Sequence, residues 1–301
     1  MARRILVSVL VLLAGAAALS AAPAKELGTE ENPIIWSFVP SGEMQRVSAG
    51  AESVAKLLRE KTGLFIQTNV ATEYVGVIEA MSASPPKAHM ASLATAAYII
   101  AADRKVAQAA LVSVRAGTPF YQGQIIAGAN KPISKLADLK GRTFARPDPL
   151  STSGWIIPML TMRAAGINTE KDFKELVDAG SHDAVVAAVY NGTVDAGACY
   201  ADARTRLQKD KPDVMEKVKV VQVSANIPND GVQFHPSVPK ETRDKIVNGL
   251  LEIIKTDAGK QAINTAYQWT ELVVKDDTFY DPFRQVLQAA GFDPMELIKK
   301  K

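Results

Sequence analysis

From residue 33 onward the chain alternates short apolar runs with longer amphipathic segments. Apolar runs at residues 33–40, 63–70, 89–93 and 109–114 predict β-strands. Between them, residues 43–61, 75–81 and 95–104 space their apolar side chains three and four apart, which predicts helices. Strands that alternate with helices favour an α/β fold with a parallel sheet that helices cover on both faces.

The same alternation continues to the end of the chain. Further strands are predicted at residues 142–145, 194–198 and 218–223, an apolar run lies at 123–129, and residues 227–231 are expected to form a loop. Further helices are predicted at residues 133–141, 154–166, 184–190, 240–255, 258–266 and 279–290.

No flexible linker or shift in composition divides the chain into two consecutive domains. A chain that crosses twice between two lobes fits better, with crossings at residues 119–124 and 224–228. We therefore expect residues 25–120 and 226–301 to form lobe 1, and residues 121–225 to form lobe 2.

The first 24 residues predict a secretory signal peptide. Arg3 and Arg4 precede an uncharged apolar run from Ile5 to Leu19, which is short for a membrane span, and small residues follow at 20–24. We expect cleavage near Lys25 and an exported protein, periplasmic or extracellular, that does not insert into the membrane. Export by the twin-arginine route is the alternative interpretation of Arg3 and Arg4.

Charge and cysteine content narrow the function further. Without Arg3 and Arg4 the formal net charge falls from +3 to +1, which provides no electrostatic footprint for nucleic acid. The single cysteine, Cys199, excludes an intramolecular disulfide. His89 and His235 have no metal-ligand spacing to another His or Cys. We expect no nucleic-acid partner, no metal and no cofactor.

Residues 146–154, Arg-Pro-Asp-Pro-Leu-Ser-Thr-Ser-Gly, carry the clearest chemical signal. Two prolines end the preceding strand, and Ser151, Thr152 and Ser153 stand directly before a predicted helix. The first amides of a helix lack internal partners, and the helix dipole places about half a positive charge there. Three hydroxyls beside such amides predict an anion-binding loop. The alternative is that one of them merely caps the helix.

Four motifs, in this order, resemble the phosphonate/phosphite-binding proteins of ABC importers. They are residues 72–81 (Thr-Glu-Tyr-Val-Gly-Val-Ile-Glu-Ala-Met), 148–154, 180–183 (Gly-Ser-His-Asp) and 227–230 (Ile-Pro-Asn-Asp). The resemblance covers nearly the whole chain after residue 24. It implies a type II periplasmic binding protein, with two α/β lobes joined by a two-segment hinge. It also implies a non-enzymatic, monomeric protein that presents a small organophosphorus ligand to a membrane permease.

The resemblance also implies which residues contact the ligand. The anion would be held by Tyr74, Tyr121, Ser151, Thr152, Ser153 and His182. Members that bind aminoethylphosphonate place two acids at the far end of the pocket, and the matching positions here are Asp202 and Asp230. These acids could pair with a ligand ammonium, or the pocket could accept a small neutral substituent. Because the helix dipole disfavours a protonated ring, we expect His182 to donate from a neutral imidazole.

Two other function classes stay open at this point. Ser153, His182 and Asp202 could form the triad of a secreted hydrolase that acts on a phosphate or carboxylic ester, since triads are defined by geometry and not by chain order. Against this, the sequence contains no Gly-x-Ser-x-Gly motif. A sensor of the same ligand is the third class, and the sequence does not distinguish it from an importer component.

Overall fold

The computed structural model describes residues 25–299, so the predicted signal peptide at residues 1–24 lies outside the described residues. The strands are β1 Ile34–Phe38, β2 Ile66–Val70, β3 Met90–Ser92, β4 Gln108–Val114, β5 Phe120–Tyr121, β6 Gly123–Gly128, β7 Thr143–Arg146, β8 Glu175–Asp178, β9 Ala196–Tyr200, β10 Val218–Val223, β11 Ile227–Pro228, β12 Gly231–Phe234 and β13 Glu271–Val274. The helices are α1 Met44–Thr62, α2 Tyr74–Ser82, α3 Thr95–Asp103, α4 Ile157–Ala164, α5 His182–Tyr190, α6 Val214–Lys217, α7 Lys240–Ile253, α8 Asp257–Tyr267, α9 Asp281–Ala289 and α10 Glu296–Lys299.

The strands form two open sheets joined by a short ribbon. The first sheet has the order β13-β4-β12-β3-β1-β2 and the second has the order β10-β6-β9-β7-β8. We call the units built around them the first and second lobe. β5 and β11 pair antiparallel, with Tyr121 opposite Ile227, so the two crossing segments lie side by side. This architecture agrees with the predicted two-lobed α/β fold, and it places Tyr121 at the junction of the lobes.

The sheets are mixed, which corrects the expectation of a parallel sheet. β12 runs antiparallel to both β3 and β4, and β6 runs antiparallel to both β9 and β10. β6 and β12 are the first long strands after each crossing. Because the chain enters the sheet from the ribbon instead of through a covering helix, it runs against its neighbours.

The sequence prediction missed β12 and β13. Gly231 resembles the end of a turn, yet it begins a strand whose four residues are all buried. A Cβ built on Gly231 would lie 1.9 Å from the carbonyl oxygen of Leu111, so only glycine permits this approach of β12 to β4. The helix predicted at residues 133–141 is a single 3₁₀ turn, Leu136–Leu139.

Close helix packing fixes one wall of the space between the lobes. A Cβ on Gly50 would lie 2.5 Å from the backbone nitrogen of Ala266, so α1 and α8 touch almost backbone to backbone. α8 ends where Gln268 adopts a left-handed conformation with φ of 58°. The Tyr267 hydroxyl donates to the Val39 carbonyl oxygen at 2.6 Å, which holds the end of α8 against the segment that follows β1.

Candidate functional site

The three hydroxyl residues are buried at the start of a helix. Ser151, Thr152 and Ser153 expose only 1–2% of their surface. Ser151 caps the turn, because its Oγ accepts the N–H of Gly154 at 3.2 Å. A Cβ on Gly154 would lie 2.4 Å from Pro147 Cδ, so glycine lets the turn fold tightly onto the proline. The π turn Thr152–Ile156 then leads directly into α4.

His182 faces this loop as a neutral hydrogen-bond donor. Its Nε2 lies 3.3 Å from Ser151 Oγ, and its Nδ1 accepts the backbone N–H of Tyr200 at 3.1 Å. Because Nδ1 is an acceptor, the ring proton is on Nε2. Burial, together with the charge of Arg115, lowers the pKa of His182 to about 3. The neutral donor expected at this position is therefore consistent with the structure.

Two tyrosines from the other side of the cavity complete the donor set. The Tyr74 hydroxyl is hydrogen-bonded to Ser151, and burial raises the Tyr74 pKa well above its ordinary value. Tyr121 is hydrogen-bonded to Ser153 and Thr95, and burial raises its pKa to about 12. Both phenols therefore stay protonated at neutral pH and can donate to an anion.

The hydroxyls, His182, Tyr74 and Tyr121 line one cavity between the lobes. Its other lining residues are Val39, Ser41, Gly42, Ala94, Tyr200, Ala266, Tyr267, Asp230 and the arginines at positions 46, 115 and 206. The cavity volume is about 20 Å³, little more than one water requires. The lobes are thus closed tightly around this space.

Asp230 lies in this cavity, but its carboxylate is already bound. Arg115 Nη2 donates to both of its oxygens at 3.1 Å. Ser113 Oγ donates to Oδ1 at 2.9 Å, and Trp269 Nε1 donates to the same oxygen at 3.2 Å. An ammonium group would have to compete with Arg115 for this carboxylate.

The structure places Asp202, the other predicted acid, outside the residues that line the cavity. Its oxygens accept from Arg204 at 2.7 and 2.9 Å and from Gln124 at 3.0 Å. Burial opposes ionisation of Asp202, but the bonds from Arg204 and Gln124 outweigh it and lower the pKa. Asp202 also caps the 3₁₀ turn Ala203–Arg206, which carries Arg206 to the cavity instead.

The three arginines of the cavity are residues that the sequence analysis missed. Arg46 lies in the first turn of α1, Arg115 follows β4, and Arg206 ends a 3₁₀ turn of the second lobe. None belongs to a motif, and they lie far apart in the sequence. Only the closure of the two lobes brings them together, so no local pattern could have identified them.

Several polar contacts join the lobes around the cavity. They are Tyr74 N–H to Asp148 Oδ2 (3.1 Å), Ala96 N–H to Thr152 Oγ1 (2.9 Å), His182 N–H to the Ser41 carbonyl oxygen (3.2 Å), Glu43 N–H to Asp183 Oδ2 (3.0 Å), Arg46 Nη2 to Asp183 Oδ2 (2.5 Å) and Arg206 Nη2 to the Asn264 carbonyl oxygen (3.0 Å). Each has one partner in each lobe, so opening the lobes breaks all of them.

Comparison with known proteins places this architecture in a family. Residues 36–280 match the family model described as "ABC transporter, phosphonate, periplasmic substrate-binding protein". The chain belongs to this family. Membership makes it a periplasmic substrate-binding protein of an ABC transporter and confirms the resemblance inferred from the four motifs.

Two characterised proteins are moderately similar to this chain in sequence. The phosphonates-binding periplasmic protein of Escherichia coli (strain K12) is 28% identical over 286 residues, which cover 93% of this chain and 82% of that protein. The phosphate-import protein PhnD of Mycolicibacterium smegmatis is 27% identical over 224 residues, or 71% of this chain and 69% of that protein. The two relatives carry names that refer to different ligands.

The fold is shared with solved binding proteins. The crystal structure of a binding-protein component of an ABC phosphonate transporter from Pseudomonas aeruginosa superposes with a TM-score of 0.79 at 25% identity. The match covers 86% of this chain and 87% of that one. It supports the two-lobed periplasmic binding fold predicted from the sequence. Within residues 25–299 no helix has the length and apolar character needed to cross a membrane.

The hydrolase alternative finds no support in the family or in the site. His182 contacts Ser151 through a nitrogen that carries the proton, so it cannot accept the serine proton there. The position where a triad would need a carboxylate, next to Nδ1, is taken by the N–H of Tyr200. Asp202 is bound to Arg204 and Gln124. The arrangement presents hydrogen-bond donors to the cavity and provides no base for a serine nucleophile.

Proposed function

We propose that this chain is the exported, monomeric binding component of an ABC importer for a small phosphorus oxyanion: a phosphonate, phosphite or phosphate. In this proposal the signal peptide is removed near Lys25, and the closed, ligand-loaded form is the one that a membrane permease recognises. Family membership supports the transport role. The names of the Escherichia coli and Mycolicibacterium smegmatis relatives support the ligand class.

One observation carries the proposal: neutral donors from both lobes converge on one small enclosed cavity. We assign ligand contacts to Tyr74, Tyr121, Ser151, Thr152, Ser153 and His182, which all line it. A tetrahedral oxyanion offers several acceptor oxygens to such a set. Hydrogen bonds to a charged group contribute about 1.5–3 kcal/mol each, and micromolar affinity requires about 8 kcal/mol. Several of these bonds therefore suffice after the costs of desolvation and ordering.

Thr152 connects ligand binding with closure. Its Oγ1 accepts the N–H of Ala96 from the first lobe at 2.9 Å. Because the hydroxyl acts as an acceptor in this contact, its hydrogen remains available for the ligand. The same side chain thus serves the anion and the contact between the lobes, and its loss weakens both.

Titration calorimetry with phosphite, methylphosphonate and inorganic phosphate tests the proposal. We expect wild-type protein to bind at least one of them, and Thr152→Ala to weaken that binding by about tenfold or more, the loss of one such bond. Thr161→Ala is the matched control, because the Thr161 hydroxyl donates to the Ile157 carbonyl oxygen within α4 and does not line the cavity. Wild-type affinity in Ser151→Ala, Thr152→Ala and Ser153→Ala alike would place the site elsewhere.

Export is tested separately by intact-mass analysis of the secreted protein. We expect the mass of a chain that begins near Lys25. An exported form that retains Met1 contradicts cleavage while leaving the ligand proposal intact.

A further inference from the structure

The charges around the cavity do not cancel. Arg46 pairs with Asp183, and Arg115 pairs with Asp230. Arg206 lines the same cavity, yet within residues 25–299 no carboxylate lies within ion-pair distance of it. One guanidinium charge therefore stays uncompensated at the wall of the ligand space.

Arg206 is also incompletely hydrogen-bonded. Its Nη2 donates to the Asn264 carbonyl oxygen at 3.0 Å, and its side chain is hydrogen-bonded to Tyr200. Its Nε is buried and has no partner among the described residues, and the Nε of Arg115 is in the same condition. A buried donor without an acceptor costs about 1–3 kcal/mol, more when the group is charged. Both arginines line the cavity, so an anion bound there would bring acceptor oxygens next to two guanidinium groups that still have an unpaired donor.

Burial adds to the cost of the Arg206 charge. Loss of solvent and the nearby charge of Arg46 lower the pKa of Arg206, although Tyr200 and Asp183 act in the opposite direction. A guanidinium remains protonated in a protein, so the cost is not relieved by deprotonation. An anionic ligand relieves it by supplying both negative charge and acceptor oxygens.

Arg206 is in contact with the anion-binding cluster through Tyr200. The Tyr200 ring meets the His182 ring edge-on, with centroids 4.8 Å apart. The guanidinium carbon of Arg115 lies 5.4 Å from the Tyr121 ring centroid and 5.7 Å from the Tyr200 ring centroid. The two unsatisfied arginines thus adjoin the aromatic residues that border the donor set.

We propose that Arg206, together with Arg115, is a specificity-determining cationic subsite that selects a doubly ionised phosphorus oxyanion and rejects ligands with an ammonium group. This proposal rests on the proposed function and narrows its ligand class. The neutral hydroxyls, phenols and imidazole supply geometry, and Arg206 supplies the net charge. Among the lining residues that the structure describes, an ammonium group would meet three arginines and a single carboxylate, Asp230, which Arg115 already binds.

A comparison of ethylphosphonate with 2-aminoethylphosphonate tests this subsite, because the two ligands differ by one ammonium group. In wild type we expect calorimetry to give at least tenfold tighter binding of ethylphosphonate. Arg206→Gln should weaken ethylphosphonate by about tenfold, and aminoethylphosphonate by much less, so that the affinity ratio falls toward one. Arg206→Lys, which keeps the charge, should restore most of the ratio.

Two further readouts separate a charge effect from a structural one. Affinity for ethylphosphonate should rise with pH through the second ionisation of the phosphonate, and this rise should be smaller in Arg206→Gln. Arg163→Gln is the matched control, since Arg163 lies on α4, is 43% exposed and does not line the cavity. Thermal unfolding of each variant verifies that it is folded.

The outcomes divide as follows. Wild-type preference for aminoethylphosphonate, or a ratio near one, overturns the subsite but leaves the proposed function standing. Equal loss of both ligands in Arg206→Gln also overturns it, because a structural role predicts that result. If wild type binds no phosphorus oxyanion at all, the proposed function itself fails.

Discussion

Closure of the lobes should depend on Asp183, which binds the first lobe from the start of α5. Its Oδ2 accepts from Arg46 Nη2 at 2.5 Å and from Glu43 N–H at 3.0 Å. The Arg46 and Asp183 side chains are only 23% and 13% exposed, so water screens the pair less than it screens a surface pair. Since Arg46 belongs to the first lobe and Asp183 to the second, the pair exists only when the lobes are closed. Asp183→Asn should therefore weaken ligand binding without contact with the ligand.

The size of the effect follows from what asparagine retains. Its side-chain oxygen can still accept from Glu43 N–H, and Arg46 keeps the carbonyl oxygens of Thr265 and Ala266 at 2.9 and 3.3 Å. What is lost is one charge-assisted bond, which contributes about 1.5–3 kcal/mol. Because the other contacts are retained, we expect a loss of binding free energy in the lower part of that range. At roughly 1.4 kcal/mol per factor of ten, this corresponds to a ten- to thirtyfold rise in Kd. The full rise in Kd is expected when the ligand-free protein is mainly in the open form, because binding must then form the Arg46–Asp183 pair.

Two measurements check this prediction. Calorimetry with methylphosphonate and phosphate gives Kd, and small-angle scattering gives the compaction on ligand addition. Asp244→Asn is the control, because Asp244 pairs with Lys240 on the exposed surface of α7 and takes no part in the contacts between the lobes described above. Should Asp183→Asn bind within twofold of wild type and compact to the same extent, the pair does not contribute to closure and the reasoning is refuted.

Three further predictions concern buried groups elsewhere in the chain. The free energy of unfolding of the closed form should fall as pH drops from about 6.5 toward 3, because His182, buried in that form with its pKa lowered to about 3, binds fewer protons folded than unfolded in that window. Denaturant titrations of His182→Gln should show a smaller fall, and identical pH profiles would argue against a buried neutral ring. Gly231→Ala should lower Tm by several degrees or prevent folding, because its Cβ would lie 1.9 Å from the Leu111 carbonyl oxygen. Gly76→Ala in α2 is the control: its Cβ would meet only Ala71 Cβ, at 3.7 Å, so Tm should stay unchanged or rise. Cys199, buried and with its thiol pKa raised to about 12 by that burial, should react with a thiol reagent only after denaturation, and rapid labelling of native protein would contradict its placement.

Sequence periodicity predicted most elements of this fold but not the direction of its strands. The apolar runs around β1, β4 and β10 have a clear strand pattern, and their bounds shift by only a few residues in the structure. Periodicity carries no information on orientation, so the antiparallel entry of β12 could not be derived from it. β12 also begins with a glycine that looks like a turn, because the close approach to β4 that requires glycine is a tertiary contact.

The hydroxyl loop could be located from sequence because the features that define it are local. Ser151, Thr152 and Ser153 are contiguous, and the helix start that they precede is encoded beside them. The assignment of Asp202 depended instead on the direction of one side chain. Arg204, two residues further on, binds that carboxylate, and the 3₁₀ turn presents Arg206 to the cavity. At this turn the cavity wall therefore carries the positive charge of Arg206, whereas the prediction had placed the negative charge of Asp202 there.

A sequence motif identifies contiguous residues such as the hydroxyl loop, but it does not identify cavity residues that come from separate parts of the chain. In the proposed function the hydroxyl loop and His182 bind an oxyanion, a feature common to phosphonates, phosphite and phosphate. The arginines that line the rest of the cavity come from α1, from the end of β4 and from the turn after β9, and they belong to no motif. Two relatives, at 28% and 27% identity, are named for different ligands, one for phosphonates and one for phosphate. Under the proposals above, the identity of the ligand depends on the net charge of residues that meet only when the lobes close, and in this chain Arg206 carries the positive charge that an anionic ligand would neutralise.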